Sequence, residues 1–310
     1  MKESNNSYNT TKAIIISNAF AFAFISMTKF SVAHFFLLRP GSLVLVSSEF
    51  TVIPILMGII CTWFWKGLEL SGRSRTTYIL YNSLLAIALS SIFFGEGVIC
   101  LIIVSPLIFG FMCLGSYLGR KMFEKNNNEI NVSIIAILLF VFITDSLSEH
   151  NYQNEVTDQV IINASPYKVW KNVVAFKPIK QKNSFWLFRI GMPSPMATTV
   201  TGYYKGAGRK CIFSNGYVFG EKIVAYDENK NLTFDIIDQP RDPEVMGHID
   251  ILRGQFLLHD NHNGTTTLIG NSWYKLYVFP VWYYDIWAQS ITRNVHIRVM
   301  EHVKQLSEQN

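Results

Sequence analysis

The stretch QVIINASPYKVW, Gln159 to Trp170, decides how this chain is read, because the sequence changes character around it. Val156–Ile162 can form a strand, ending in the β-branched run Val160-Ile161-Ile162. Asn163-Ala164-Ser165-Pro166 then breaks it. Ser165 suits the N-cap of a helix, and Pro166 suits the first helical position, where its missing N–H costs nothing. Tyr167–Val174 follows as a short helix with Trp170 and Val173 three residues apart on one face. A strand, a cap and a short helix are a sensible opening for a compact water-soluble module.

Upstream the chain is of a different kind. Five apolar stretches are read as spans: Ala13–Leu38, Leu43–Trp65, Thr77–Phe94, Gly97–Gly119 and Asn131–Leu147. Each approaches the roughly 20 apolar residues that crossing a bilayer requires. The split explains a composition of 49% hydrophobic and only 16% charged residues. Two domains are expected, residues 1–150 as a transmembrane helical region and residues 151–310 as the soluble module. The positive-inside rule orients them. Lys2, Lys12, Lys66, Arg73, Arg75, Arg120, Lys121 and Lys125 share one side of a five-span arrangement, and only Lys29 and Arg39 fall on the other. The module then faces outward from the cell (inner) membrane, on the periplasmic or external side. Within the spans, a Lys29–Glu49 pair is a candidate link between the first two helices, with Glu96 and Asp145 near span ends.

Charge excludes some functions. The formal net charge of +5 is spread over both halves, with no basic stripe of the kind that phosphate contacts need, so nucleic acid is not an expected partner. The four cysteines, Cys61, Cys100, Cys113 and Cys211, show no CxxC or Cys/His ligand spacing. No metal or other cofactor is expected.

Downstream of Gln159 the pattern is serial. Phe185–Ile190 reads as a second short helix. Strand-like runs follow at Thr198–Tyr204, Arg209–Phe213, Tyr217–Tyr226, Leu232–Ile237, His248–Leu258 and Thr265–Val278, separated by Gly- and Asn-containing turns. Val281–Leu306 reads as one long helix, with Tyr284, Trp287, Ile291, Val295, Val299, Val303 and Leu306 on one stripe. The polar residues Ser148–Asp158 read as a tether. A curved antiparallel sheet covered by a single long helix leaves space between the two for an apolar cavity.

The opening that ends in N-A-S-P-x-x-V-W (Asn163–Trp170) resembles the start of the Bet v 1-like, START-related superfamily, also called SRPBCC or polyketide cyclase-like. The segment Phe213–Ile223, L-R-G-x-F (Leu252–Phe256), G-x-x-W-Y (Gly270–Tyr274) and H-I-R-V-x-x-H (His296–His302) resemble a bacterial subgroup that carries this domain behind membrane spans. The resemblance implies a helix-grip fold and a hydrophobic ligand pocket. Some members of the superfamily bind lipids, sterols or hormones, and others catalyse cyclisation or dehydration, so the fold does not select a chemistry.

The fold class expected is therefore an all-α transmembrane bundle of about five spans followed by an α+β helix-grip domain. The function expected is that of a membrane-anchored protein binding an apolar or amphipathic small molecule, a lipid among them, with the bilayer as its other partner. A cyclase- or hydrolase-like enzyme on the same pocket is the first alternative, and a structural or sensory module without ligand the second. The ligand-binding candidates are Trp170, Trp186, Tyr203, Phe219, Arg253, Trp273 and Trp287. Large rings suit an apolar cavity, and Arg253 suits a carboxylate or phosphate. For catalysis, His248 and Asp250 fall on one face of a regular strand, with Arg253 nearby. Asp235, Asp242, His296 and His302 complete the titratable set. His296 and His302 are six apart on a helix and cannot share a metal.

Overall fold

The computed structural model describes residues 2–35, 50–68, 70–95, 97–123, 136, 140, 151–240, 248–278 and 280–309. The chain divides into two compact units. One comprises residues 1–150 with 243–248, and the other residues 151–242 with 249–310.

The described part of the first unit is helical, with α1 (Lys2–Phe35), α2 (Val52–Phe64), α3 (Gly72–Phe94) and α4 (Val98–Phe123). Only α3 and α4 among the described residues are long and apolar enough to cross a membrane, not about five spans. The difference has local reasons. α1 is long but carries polar residues such as Thr10, Thr11, Ser17 and Asn18 along its length. The apolar part of the second expected span is a helix of 13 residues. The fifth expected span, the Lys29–Glu49 pair, Glu96 and Asp145 lie outside the described residues and side chains.

Small and polar side chains hold these helices together. A Cβ at Gly58 would lie 2.2 Å from the Met112 carbonyl oxygen, and one at Gly115 would lie 2.0 Å from that of Ile55. Glycine at both positions is what lets the α2 and α4 backbones touch, as small residues do between membrane helices. Asn18 Nδ2 donates to Asn82 Oδ1 at 2.5 Å, and Asn82 Nδ2 donates to Ser17 Oγ at 3.0 Å, which joins α1 to α3. Thr62 Oγ1 donates to Ser116 Oγ at 2.9 Å between α2 and α4. On α3, by contrast, Leu80, Tyr81, Leu84, Ile92 and Phe93 are exposed. A continuous apolar face of that kind needs a lipid or protein neighbour.

In the second unit β1 (Tyr152–Ile162), α5 (Pro166–Val174) and α6 (Trp186–Arg189) come first. They are followed by β2 (Pro195–Val200), β3 (Gly208–Phe213), β4 (Val218–Asp227), β5 (Asn231–Asp238), β6 (Ile249–Asp260) and β7 (Thr266–Leu276). α7 (Val281–Glu308) ends the unit. The seven strands form one antiparallel sheet in the order β1-β7-β6-β5-β4-β3-β2. This sheet, curved around a long C-terminal helix, is the helix-grip arrangement.

Three expectations are corrected. β1 starts at Tyr152, so most of the expected tether is strand, paired along its length with β7. β2 ends at Val200, which leaves Tyr203 and Tyr204 in the turn before β3, both more than half exposed. The buried face of α7 runs through Tyr284, Ala288, Thr292, His296, Val299, Met300 and Val303, so polar residues share the stripe. Ser165 does occupy the N-cap of α5 with Pro166 next, although its side chain makes no capping bond.

Strand alternation sets two faces. Ile162, Leu268, Phe256, Leu232, Phe234 and Ile223 point inward and join Trp170, Val173, Val299 and Met300 in one core. The outer face is polar: Asn271 donates to Gln255, and Gln255 donates to Thr233 and Asn231 across three strands. The core is closed at the end where α5 packs. Toward the first half of α7, the inward-facing Phe219 and Cys211 and the helix residues Trp287, Ile291 and Val295 are only half-buried.

Candidate functional site

Inside the grip, two polar constellations stand in otherwise apolar surroundings. The first is the cross-strand pair Arg209 and Glu221 on β3 and β4. Both side chains are buried and ion-paired. Arg209 Nε also donates to the Val174 carbonyl at 3.1 Å, at the end of α5, and its guanidinium lies 4.4 Å from the centre of the Phe234 ring. The two charges are thus paired with each other and with the backbone of α5, as a buried charge requires. Next to it, burial pushes the Cys211 thiol up to about 12, with Glu221 acting in the same direction and Arg209 against it.

The second constellation joins three elements. Gly270 lies opposite Asp158 in the β1–β7 ladder and two residues before Ser272. A Cβ at Gly270 would sit 3.7 Å from the His296 ring and 3.2 Å from Met300 Sδ, so glycine there admits the imidazole of α7 close to the sheet. His296 Nδ1 lies 3.0 Å from Asp158 Oδ2, and His296 Nε2 lies 2.7 Å from Ser272 Oγ. Arg293 Nε donates to the other Asp158 oxygen at 2.8 Å. An ionised carboxylate only accepts, so Nδ1 carries the proton and donates to Asp158; Nε2 of the neutral ring then accepts from the Ser272 hydroxyl. His296 is buried, and desolvation lowers its pKa more than Asp158 raises it, with Arg293 also lowering it. The ring is thus neutral near pH 7 and holds a free lone pair toward Ser272. Ser272 itself is half-buried.

A third cluster lies around Asp285, near the start of α7. Its carboxylate accepts from Tyr274 Oη at 2.5 Å, Asn154 Nδ2 at 3.1 Å and Gln289 Nε2 at 2.7 Å. Burial and the neighbouring Asp285 raise the Tyr274 pKa, so that phenol stays a donor.

The residues singled out from sequence are dispersed. Trp170 is in the core, with its Nε1 donating to Tyr226 Oη at 3.2 Å. Phe219 packs on Phe213 at 4.9 Å between ring centres. Trp186 and Trp287 are brought together at 6.4 Å, and the rings continue through Phe185, Phe188 and Tyr283. Tyr203 stands in the exposed β2–β3 turn. Arg253 and Trp273 alternate onto the outer face, away from α7, and Arg253 Nε donates to Asp235 Oδ1 at 2.6 Å in an exposed pair.

His248 precedes β6 and is grouped with the first unit. Asp250 accepts from Tyr277 Oη at 2.6 Å in the second. Asp242 lies outside the described residues. His302 accepts no metal position either: its Nε2 donates to the Lys177 carbonyl at 2.9 Å. Among the described residues no group of three His, Cys, Asp or Glu is placed to hold a metal ion. Asp158, Ser272, Arg209 and Glu221 were not legible as a site, because strand register brings them together. The glycine of G-x-S in Gly270–Ser272 was the one local signal of a close helix approach.

Comparison with known proteins finds distant structural similarity. No family model matches the chain, and no curated protein matches it. Among solved structures it is similar to a truncated norcoclaurine synthase from Thalictrum flavum, at 10% identity and a TM-score of 0.38, over 53% of this chain and 98% of that one. It is also similar to a protein from Nitrosospira multiformis, at 13% identity and a TM-score of 0.33, over 49% and 94% of the two chains. A third, a protein from Mesorhizobium loti, has 18% identity and a TM-score of 0.33, over 49% and 96%.

Proposed function

We propose that the chain is a membrane-anchored binding protein whose helix-grip unit holds an apolar or amphipathic molecule, a lipid above all, between the sheet and the first half of α7. The observation that carries this reading is the row of touching rings Phe188, Phe185, Trp186, Trp287 and Tyr283 at the less closed end of the grip. Rings already committed to packing would be buried, yet Trp186 is 44% exposed. Aromatic rings offer large apolar contact at little entropic cost.

Charge supports an anionic or zwitterionic headgroup. From Gln159 to Gly220 the chain carries nine Lys or Arg and no Asp or Glu. Of these, Lys177, Lys180, Lys182 and Arg189 are exposed and bracket α6. Positive charge beside an exposed tryptophan is the pattern that attracts lipid surfaces. The two membrane-capable helices supply the anchor; with the positive residues flanking α3 and α4 on the inner side, the grip faces outward only when the fifth expected span, between α4 and β1, also crosses. Anchoring keeps the pocket where such ligands partition and raises their effective concentration. Nucleic acid plays no part in this reading.

The test uses the full chain in lipid nanodiscs containing a diazirine-bearing phosphatidylglycerol. After illumination, adducts are expected on peptides covering Phe185–Ile190 and Trp282–Ile291, and Trp287→Ala should lower their yield several-fold. Adducts confined to residues 1–150 would overturn the proposal.

A further inference from the structure

Ser272, His296 and Asp158 are linked in series from three elements that meet inside the grip. The hydroxyl lies 2.7 Å from one imidazole nitrogen, and the carboxylate lies 3.0 Å from the other. Arg293 Nε donates to the second carboxylate oxygen at 2.8 Å, which favours the orientation that faces the ring. A nucleophile within reach of a base, with the base oriented by a third group, is the arrangement that activates a serine. Among the described residues, burial raises the pKa of the Cys211 thiol, and Arg209 and Glu221 are ion-paired with each other.

We propose that Ser272 is a nucleophile, that His296 is its general base and that Asp158 is the positioning residue of an acyl-transfer site for long-chain carboxylic esters or thioesters. The site lies in the interior proposed above to hold lipid, and its substrate class rests on that reading. Ser272 Oγ attacks the ester carbonyl carbon while its proton passes to His296 Nε2. The tetrahedral adduct then expels the alcohol or thiol, which takes the proton back from Nε2, and the acyl group remains on Ser272. Water, deprotonated by the same nitrogen, attacks the acyl carbon and releases the carboxylic acid, and the proton returns to Ser272. Throughout, Asp158 holds Nδ1–H and stabilises the imidazolium.

Two local features shape the outcome. Gly254 is the cross-strand neighbour of Ser272 and Gly270 precedes it by two; the Phe234 ring lies over Gly254, and Met300 and His296 lie over Gly270, so the strand next to the hydroxyl is covered by apolar side chains and the imidazole. The Ser272 backbone is itself part of the ladders with β1 and β6, so strand amides are not free to receive an oxyanion. Each missing oxyanion donor costs about 10²–10³ in rate. Covalent labelling is therefore a better assay than turnover.

The experiment treats the full chain in nanodiscs with a long-chain alkyl fluorophosphonate. Ser272 Oγ displaces fluoride at phosphorus, and the proton passes to His296. The expected result is one phosphonyl adduct on the peptide carrying Ser272, formed by the native protein and not by the urea-unfolded protein. Ser272→Ala should abolish it, and His296→Gln should slow it about 100-fold or more, in line with general-base contributions. Hydrogen exchange of β1 and β7 reports whether each variant is folded. A native wild-type protein left unlabelled at Ser272 would overturn the nucleophile, as would labelling equally fast in folded His296→Gln. Lipid photo-adducts on α6 and α7 that persist alongside an unlabelled Ser272 would remove only the chemistry and leave the binding function standing.

Discussion

Removing one member of the buried Arg209–Glu221 pair should unfold the grip far more easily than removing both. The two side chains are 3% and 4% exposed, so neither charge can reach water when its partner is lost. In Arg209→Met the carboxylate of Glu221 is stranded, the Val174 carbonyl loses its donor, and the stacking on Phe234 goes. Breaking a buried pair in this way costs about 3–5 kcal/mol, and the orphaned carbonyl adds about 1 kcal/mol. The double variant Arg209→Met/Glu221→Leu carries no buried charge and should recover most of that loss, because apolar replacement of a buried pair is often near neutral. Two single variants costing about 3–5 kcal/mol each against a nearly neutral double give a coupling of about 5 kcal/mol or more, above the usual range for residues in contact. The assay is urea unfolding of the full chain in detergent, read by hydrogen exchange of the β3, β4 and β5 peptides. With a slope of about 2 kcal/mol per molar urea, a loss of about 4 kcal/mol moves the midpoint down by about 2 M. A single variant costing under about 1 kcal/mol, or a double variant equal to the sum of the singles, would refute the reasoning.

Other expectations concern single groups. Cys211 should react slowly with alkylating agents in the folded protein, because burial pushes its thiol up to about 12 and the thiolate is the reacting form. Peptide mapping after iodoacetamide should find Cys211 modified only when urea is present. His296 should make stability fall on acidification. Its folded pKa is below that of the unfolded chain, so the unfolded state binds the extra proton, and stability present above the unfolded value near 6.5 is lost as pH falls toward the lowered one. His302 has the same sign, through burial, with Arg298 acting the same way and the Lys177 carbonyl against it. The pH dependence of the urea midpoint between about 7 and 5 should flatten in His296→Gln; an unchanged slope would show that the ring is not shielded as described.

Much of the grip was legible because its local signals agree with one another. Ser165-Pro166, the Asn- and Gly-containing turns and the stripe of α7 place nearly every element of the second unit within a few residues of its observed bounds. The failures have distinct causes. Tyr152–Glu155 is polar apart from its tyrosine and reads as tether alone, and pairing with β7 makes it strand. Arg253 reads as interior because it sits in a central strand, but strand parity alone does not say which side the helix covers. Asp158 and Ser272 become diagonal neighbours through a register that no local pattern encodes. In the first unit, apolar length alone was a poor guide, since α1 mixes polar residues into its run and α2 is short.

The pairing of β1 with β7 also sets a timetable for synthesis. Ile162 pairs with Thr266, so the first strand of the grip waits for a partner more than 100 residues downstream. At a ribosome speed of about 5–20 residues per second, that wait lasts about 5–20 s. For that time Val160-Ile161-Ile162 is a β-branched segment without its native partner strand. The alternating polar residues Thr157, Asp158 and Gln159 just before it act as gatekeepers against premature pairing with another nascent chain. Asp158, which orients His296 in the finished protein, thus also guards the nascent strand before the rest of the grip exists.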